Sequence, residues 1–121
     1  MTIESTVMNL ISEILDIDLE DITPESYVIR ELNAESIDLL ELGAELGSRF
    51  RVQISDDAVF FLKLREYAQK ADAGNNLVDL ITNAYPHLSE ARINEIAKDM
   101  AGGPVLKVKD ITAYMSRLVA L

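Results

Sequence analysis

Apolar residues recur along this chain at spacings of three and four, not two, and that periodicity commits it to helices. Ile3, Val7, Leu10, Ile11 and Ile14 lay one apolar stripe along a first helix ending near Leu15, with Thr2 in place to cap it. Leu39, Leu42, Gly43, Leu46 and Phe50 do the same for a second helix that starts at Ser36. Further periods run through Phe61, Leu64, Ala68 and Ala71, then Leu77, Leu80, Ile81 and Ala84, then Ile93, Ile96, Ala97 and Met100. A last helix follows through Val108, Ile111, Met115 and Leu118, set off by Gly102-Gly103-Pro104, a strong helix stop. No period-2 strand run, internal repeat or low-complexity tract interrupts this pattern, so an all-α bundle is expected.

Residues 16–35 have no helical period. Thr23-Pro24-Glu25-Ser26 reads as a turn, and Ile17, Leu19, Ile22, Val28 and Leu32 can anchor the segment to a core. A loop of this length is often functional.

The chain has 121 residues, 49% of them hydrophobic, which suits one domain around one core. Its net charge of −10 argues against nucleic acid, because gripping phosphate backbones needs clustered Lys and Arg. The acidity is lopsided. Residues 1–59 hold 14 acids against Arg30, Arg49 and Arg51, whereas residues 60–121 hold seven acids against eight bases. With no cysteine there is no disulfide framework, thiolate metal site or cysteine nucleophile, so any sulfur chemistry must come from a cofactor. No stretch reaches the ~18 consecutive apolar residues of a membrane span and no basic segment with an apolar run opens the chain, so a cytoplasmic, membrane-free protein is expected.

Glu31-Leu32-Asn33-Ala34-Glu35-Ser36-Ile37-Asp38 sets a serine at the start of the second helix, directly after the long loop and between acids. Here the chain resembles acyl carrier proteins, whose attachment motif runs Asp-Leu-Gly-Ala-Asp-Ser-Leu followed by an acid. Asn33 replaces the glycine, and Asn is one of the few other residues that readily adopts left-handed backbone. The resemblance covers residues 1–59, including Ile54-Ser55-Asp56-Asp57, where Ser55 replaces a proline. It resumes at Lys107-Val108-Lys109-Asp110-Ile111-Thr112-Ala113-Tyr114-Met115, similar to the family's closing helix.

The resemblance implies an acyl-carrier-type bundle, a single domain over 1–121. Its carrier core is expected over 1–59 and 105–121, with about three extra helices over 60–104 inserted before the last one. It implies that Ser36 bears a covalent 4′-phosphopantetheine arm, that acyl groups ride on the arm as thioesters, and that the chain itself catalyses nothing. The partners implied are a phosphopantetheinyl transferase, an acyl-loading ligase or synthase, and acyltransferases with basic docking patches, met by a monomer. By matching position, Glu35, Ile37, Asp38, Glu41 and Ala44 would form the docking face. Ile37, Leu40 and Ala44 make a second apolar stripe on this helix, more than one core face needs. Gly47 and Ser48 stand where many members carry acids, which points to a dedicated carrier in a specialised fatty acid, lipid, lipopolysaccharide or polyketide pathway. A peptidyl or D-alanyl carrier, and an unmodified helical interaction module, are the rival readings.

Other features read more plainly. Asp16, Asp18, Glu20 and Asp21 lack the spacing of a calcium loop and are expected to be a solvated face. No metal site is expected. His87, between Pro86 and Leu88, is expected to be a surface or capping residue. Gly43 and Gly47 each weaken a helix by up to about 1 kcal/mol relative to alanine, so some close approach of an inserted helix or an acyl chain should compensate. Phe60, Phe61, Leu62 and Leu64 are expected in the core.

Overall fold

Thr2 opens the first helix as its residue type requires: its Oγ1 accepts the Ser5 amide at 3.0 Å. A computed structural model describes residues 2–120, so Met1 and Leu121, the ends of the expected domain, lie outside the described residues. Seven helices follow in order among these residues: α1 Ile3–Leu15, α2 Ser36–Phe50, α3 Asp56–Phe60, α4 Leu64–Asp72, α5 Leu77–Ala84, α6 Glu90–Asp99 and α7 Val108–Ala120. Short 3-10 turns span Leu19–Asp21 and Met100–Gly102. Extended pairing among the described residues is limited to an isolated antiparallel bridge between Tyr27 and Lys107. The fold is all-α.

The helix ends explain the breaks between elements. Asp16 and Arg51 take left-handed backbone at φ 54° and 55° and stop α1 and α2. Phe61 does the same at φ 59°, which splits the single period expected through Phe61, Leu64, Ala68 and Ala71. A separate short helix, α3, precedes that break, with the Ser55 hydroxyl accepting the Ala58 amide at 3.4 Å. Five residues make little more than one turn, too short for a periodic signal.

Helix α1 packs against both α2 and α7, and α3 packs against α2 and α7. Helices α4, α5 and α6 lie between α3 and α7 in the chain and pack on one another in succession. Their buried residues Ile81, Tyr85, Ile93 and Ile96 belong to the same apolar cluster as Val7, Leu10, Leu46, Val59, Ile111 and Met115. Phe60, Phe61 and Leu64 are buried as expected, while Leu62 is exposed.

Polar ties reinforce that continuity. The buried Tyr85, at the end of α5, donates its hydroxyl to Asp57 Oδ1 of α3 at 3.0 Å, and burial pushes its phenol pKa well up. Arg92 of α6 pairs with Asp110 of α7: Nε and Nη2 reach the two carboxylate oxygens at 2.8 Å each, and Nη2 also donates to the Val105 carbonyl at 2.7 Å.

Gly43 shows what its missing side chain admits. A Cβ there would stand 2.9 Å from Asp56 Oδ1 and 3.3 Å from Phe60 Cε2, so α3 is the element that lies against α2 at this point. At Gly47 a Cβ would stand 3.1 Å from the Val52 carbonyl oxygen. The close approach expected at these glycines is therefore made by α3 and the turn after α2, not by α4–α6 or a ligand.

Candidate functional site

Ser36 is the first residue of α2 and is exposed. The cap before it is Glu35, in extended backbone, whose amide donates to Asp38 Oδ2 at 2.8 Å. Serine at a helix start is commonly just a cap, but here Glu35 holds that place. Ser36 is left with its hydroxyl at the positive end of a 15-residue helix.

The loop reaches Ser36 through a tight turn. The Tyr27 carbonyl accepts the amides of Glu31 and Leu32 at 3.0 Å, and Glu31 Oε1 accepts the Tyr27 amide at 3.0 Å. Asn33 then adopts φ 61°, the left-handed conformation expected of a glycine substitute, and the Ala34 amide returns to the Val28 carbonyl at 3.1 Å. Val28 and Ala34 are buried and pin the turn to the core.

The residues expected at a docking face share one exposed side of α2. Glu35, Ile37, Glu41 and Ala44 are exposed, and Asp38 is half-buried by its capping bond. Ile37 and Leu40 are 69% and 61% exposed, too open for core residues. Beneath them the seam between α1 and α2 contains a cavity of about 10 Å³, lined by Ile11, Ile14, Ala34, Leu39 and Leu42 among others. That is room for about one water, so no acyl chain enters this seam unless α1 and α2 part. A larger cavity of about 130 Å³ lies between Ala58, Pro86, His87, Tyr114, Arg117 and Leu118, and no residue of α2 lines it.

His87 corrects its expectation. It is half-buried, its Nε2 is shielded without a partner, and its ring lies 5.3 Å from the Tyr114 ring and within a cluster with Phe61 and Tyr85. Burial lowers its pKa from 6.5 to about 4; Asp110 opposes that shift and Arg117 adds to it. The turn containing it folds inward because Tyr85 and Leu88 on either side are core residues.

Asp16, Asp18, Glu20 and Asp21 are exposed, and no group of acids and histidines suited to a metal is found among the described residues. No helix there is long and apolar enough to cross a membrane.

A polar cluster missed by sequence reasoning holds the loop from behind. The Tyr27 hydroxyl donates to Asp99 Oδ2 at 2.5 Å, and Arg30 Nη1 donates to Asp99 Oδ1 at 3.1 Å. Glu25 accepts from Lys107 at 3.0 Å and Lys109 at 2.9 Å, and those bonds draw its pKa from 4.5 to about 2. These partners are more than sixty residues apart, so only their opposite charges were visible in the sequence.

The model of the phosphopantetheine attachment site family matches residues 5–68, a span that takes in all but the first two residues of α1, all of α2 with Ser36, α3 and the first turn of α4. An acyl carrier protein of Syntrophus aciditrophicus is 33% identical over 75 residues, covering 54% of this chain and 94% of that protein. An acyl carrier protein of Nitratidesulfovibrio vulgaris is 34% identical over 67 residues, covering 54% of this chain and 88% of its own length. No solved structure matches.

Proposed function

Because this chain belongs to the acyl carrier protein family, the family of the phosphopantetheine attachment site, we propose that Ser36 is its attachment residue and that it serves a specialised acyl pathway. Acyl carrier proteins carry a cofactor and are not enzymes. The observation that bears most on the assignment is the exposed Ser36 as first residue of α2, delivered by the Asn33 turn and relieved of capping by Glu35.

The residues at this place fit the group. The α2 N-terminus favours a phosphodiester through its dipole, and the exposed hydroxyl is reachable by a transferase. When bound, the group supplies a terminal thiol on which acyl groups are held as thioesters. This chain's part is to present Ser36 Oγ, to hold the turn before it, and to offer the partner a recognisable face.

We assign that face to Glu35, Ile37, Asp38, Glu41 and Ala44, whose acids surround exposed apolar side chains. Such a face suits a basic patch with an apolar centre on a transferase, a loading ligase or synthase, or an acyltransferase. Its charges steer encounter and selection more than they add affinity. The carrier core is read as residues 1–59 and 105–121 with an inserted segment over 60–104. The protein is read as a cytoplasmic monomer in fatty acid, lipopolysaccharide or polyketide assembly.

The deciding experiment is intact mass after incubation with coenzyme A and a broad-specificity phosphopantetheinyl transferase, beside a Ser36→Ala control. The wild-type chain should gain one phosphopantetheine group and the control none. A folded wild-type chain that keeps its mass with an active transferase would end this reading.

A further inference from the structure

The loop that delivers Ser36 is anchored to a part of the chain beyond the segment shared with the family model, which ends at residue 68. Asp99, the last residue of α6, accepts from Tyr27 and Arg30, and Arg30 Nη2 also donates to the Gly103 carbonyl at 3.1 Å. The Tyr27 ring is covered by two cations, the Arg30 guanidinium at 4.1 Å and the Lys107 ammonium at 4.9 Å from its centroid.

From Tyr27 the hydrogen bonds run forward to the serine. The Tyr27 carbonyl takes the Glu31 and Leu32 amides, Ile29 takes Asn33 and Val28 takes Ala34, two residues short of Ser36. The Val28 amide on the Leu106 carbonyl at 2.9 Å holds the backbone of this turn, and the Asp99 carboxylate holds both of its polar side chains, Tyr27 and Arg30. The Asp99 and Arg30 side chains are only 28% and 26% exposed, so their bond is screened less than an open surface pair.

We infer that Asp99 is a positioning residue for modification of Ser36: the end of α6 braces the 27–34 turn, so the transferase meets the serine already in place. The inference rests on Ser36 being the attachment residue. A turn released from Asp99 must be ordered during docking, which weakens the encounter complex while leaving the chemistry of the bound serine intact. The effect belongs in KM for the carrier and not in kcat.

The test uses the full chain in two measurements: steady-state modification by a broad-specificity transferase, and amide hydrogen exchange. In Asp99→Asn, KM for the carrier should rise roughly fivefold or more with kcat held within about twofold, and the Asn33 and Ala34 amides should exchange about tenfold faster. The Leu10 and Ile11 amides of α1 should keep their protection, and Asp99→Glu, which retains a carboxylate, should recover part of the loss. Glu90→Gln, at the exposed opposite end of the same helix, should behave as wild type. Unchanged KM and unchanged Asn33 exchange in Asp99→Asn would overturn the positioning role alone, as would faster exchange spread evenly through α1. A wild-type chain that takes no group at Ser36 would overturn the attachment reading and the positioning role together.

Discussion

Arg92 and Asp110 meet in a two-pronged ion pair, both contacts at 2.8 Å, with side chains 6% and 1% exposed. Asp110 also accepts the Lys107 amide at 2.8 Å, so one carboxylate joins α6, the start of α7 and the turn before it. Removing one partner strands a buried charge. Asp110→Asn should lower unfolding free energy by about 3–5 kcal/mol in urea titration. The double variant Arg92→Met with Asp110→Leu should recover at least half of that, because no lone charge remains; a double variant as unstable as the single one would contradict this account.

Ser36 and Ile37 are exposed and neither caps α2, so their work should be separable from folding. Ser36→Ala and Ile37→Glu should each change stability by no more than about 0.5 kcal/mol. Ile37→Glu should still accept the phosphopantetheine group when transferase is in excess, but a partner acyltransferase should turn over its acylated form several-fold more slowly, read as a lower kcat/KM.

His87 sets a pH window. Its folded pKa near 4 lies below the ordinary 6.5, so between those values the unfolded chain binds the extra proton. Stability from this group is complete above pH 6.5 and falls as pH drops towards 4. His87→Phe should flatten that limb in urea titrations at pH 4.5 and 7. Glu25 acts in a separate and lower window: its folded pKa near 2 lies below 4.5, so its contribution is present above pH 4.5 and lost as pH falls towards 2. Glu25→Gln should alter only that lower limb.

Gly43 tests the seat of α3. Alanine would favour the helix by up to about 1 kcal/mol on propensity alone. The buried Phe60 ring, however, stands 3.3 Å from where the methyl would sit, and crowding a packed core costs typically about 1–3 kcal/mol. Asp56 can swing aside but Phe60 cannot, so Gly43→Ala should lower the melting temperature. A rise would show that α3 yields freely.

What was legible in the sequence was what neighbouring residues decide among themselves. The extents of α1 and α2, the Thr2 cap, the left-handed Asn33 and the three helices between residues 60 and 104 all follow from periodicity and local backbone preference. Helix α3 was hidden because a single turn has no period, and Phe61 in left-handed backbone is a tertiary outcome of burying its ring. The Tyr27–Arg30–Asp99 brace joins residues about seventy positions apart, beyond any local pattern. One signal was available for the buried ion pair: Arg92 lies four residues before Ile96, on the apolar stripe of its helix, where an unpaired charge would be untenable.

The packing of α1 on α7 brings together the first and last of the helices among the described residues, and it bears on the order in which they are made. As the polypeptide leaves the ribosome, α1 and α2 emerge early, yet one flank of α1 stays uncovered until Val108–Ala120 is synthesised. Ser36 is thus made long before the bundle that presents it can close, and contacts between such distant segments form slowly. A product that stops short of α7 would leave that apolar flank of α1 uncovered, the kind of surface on which incomplete chains aggregate.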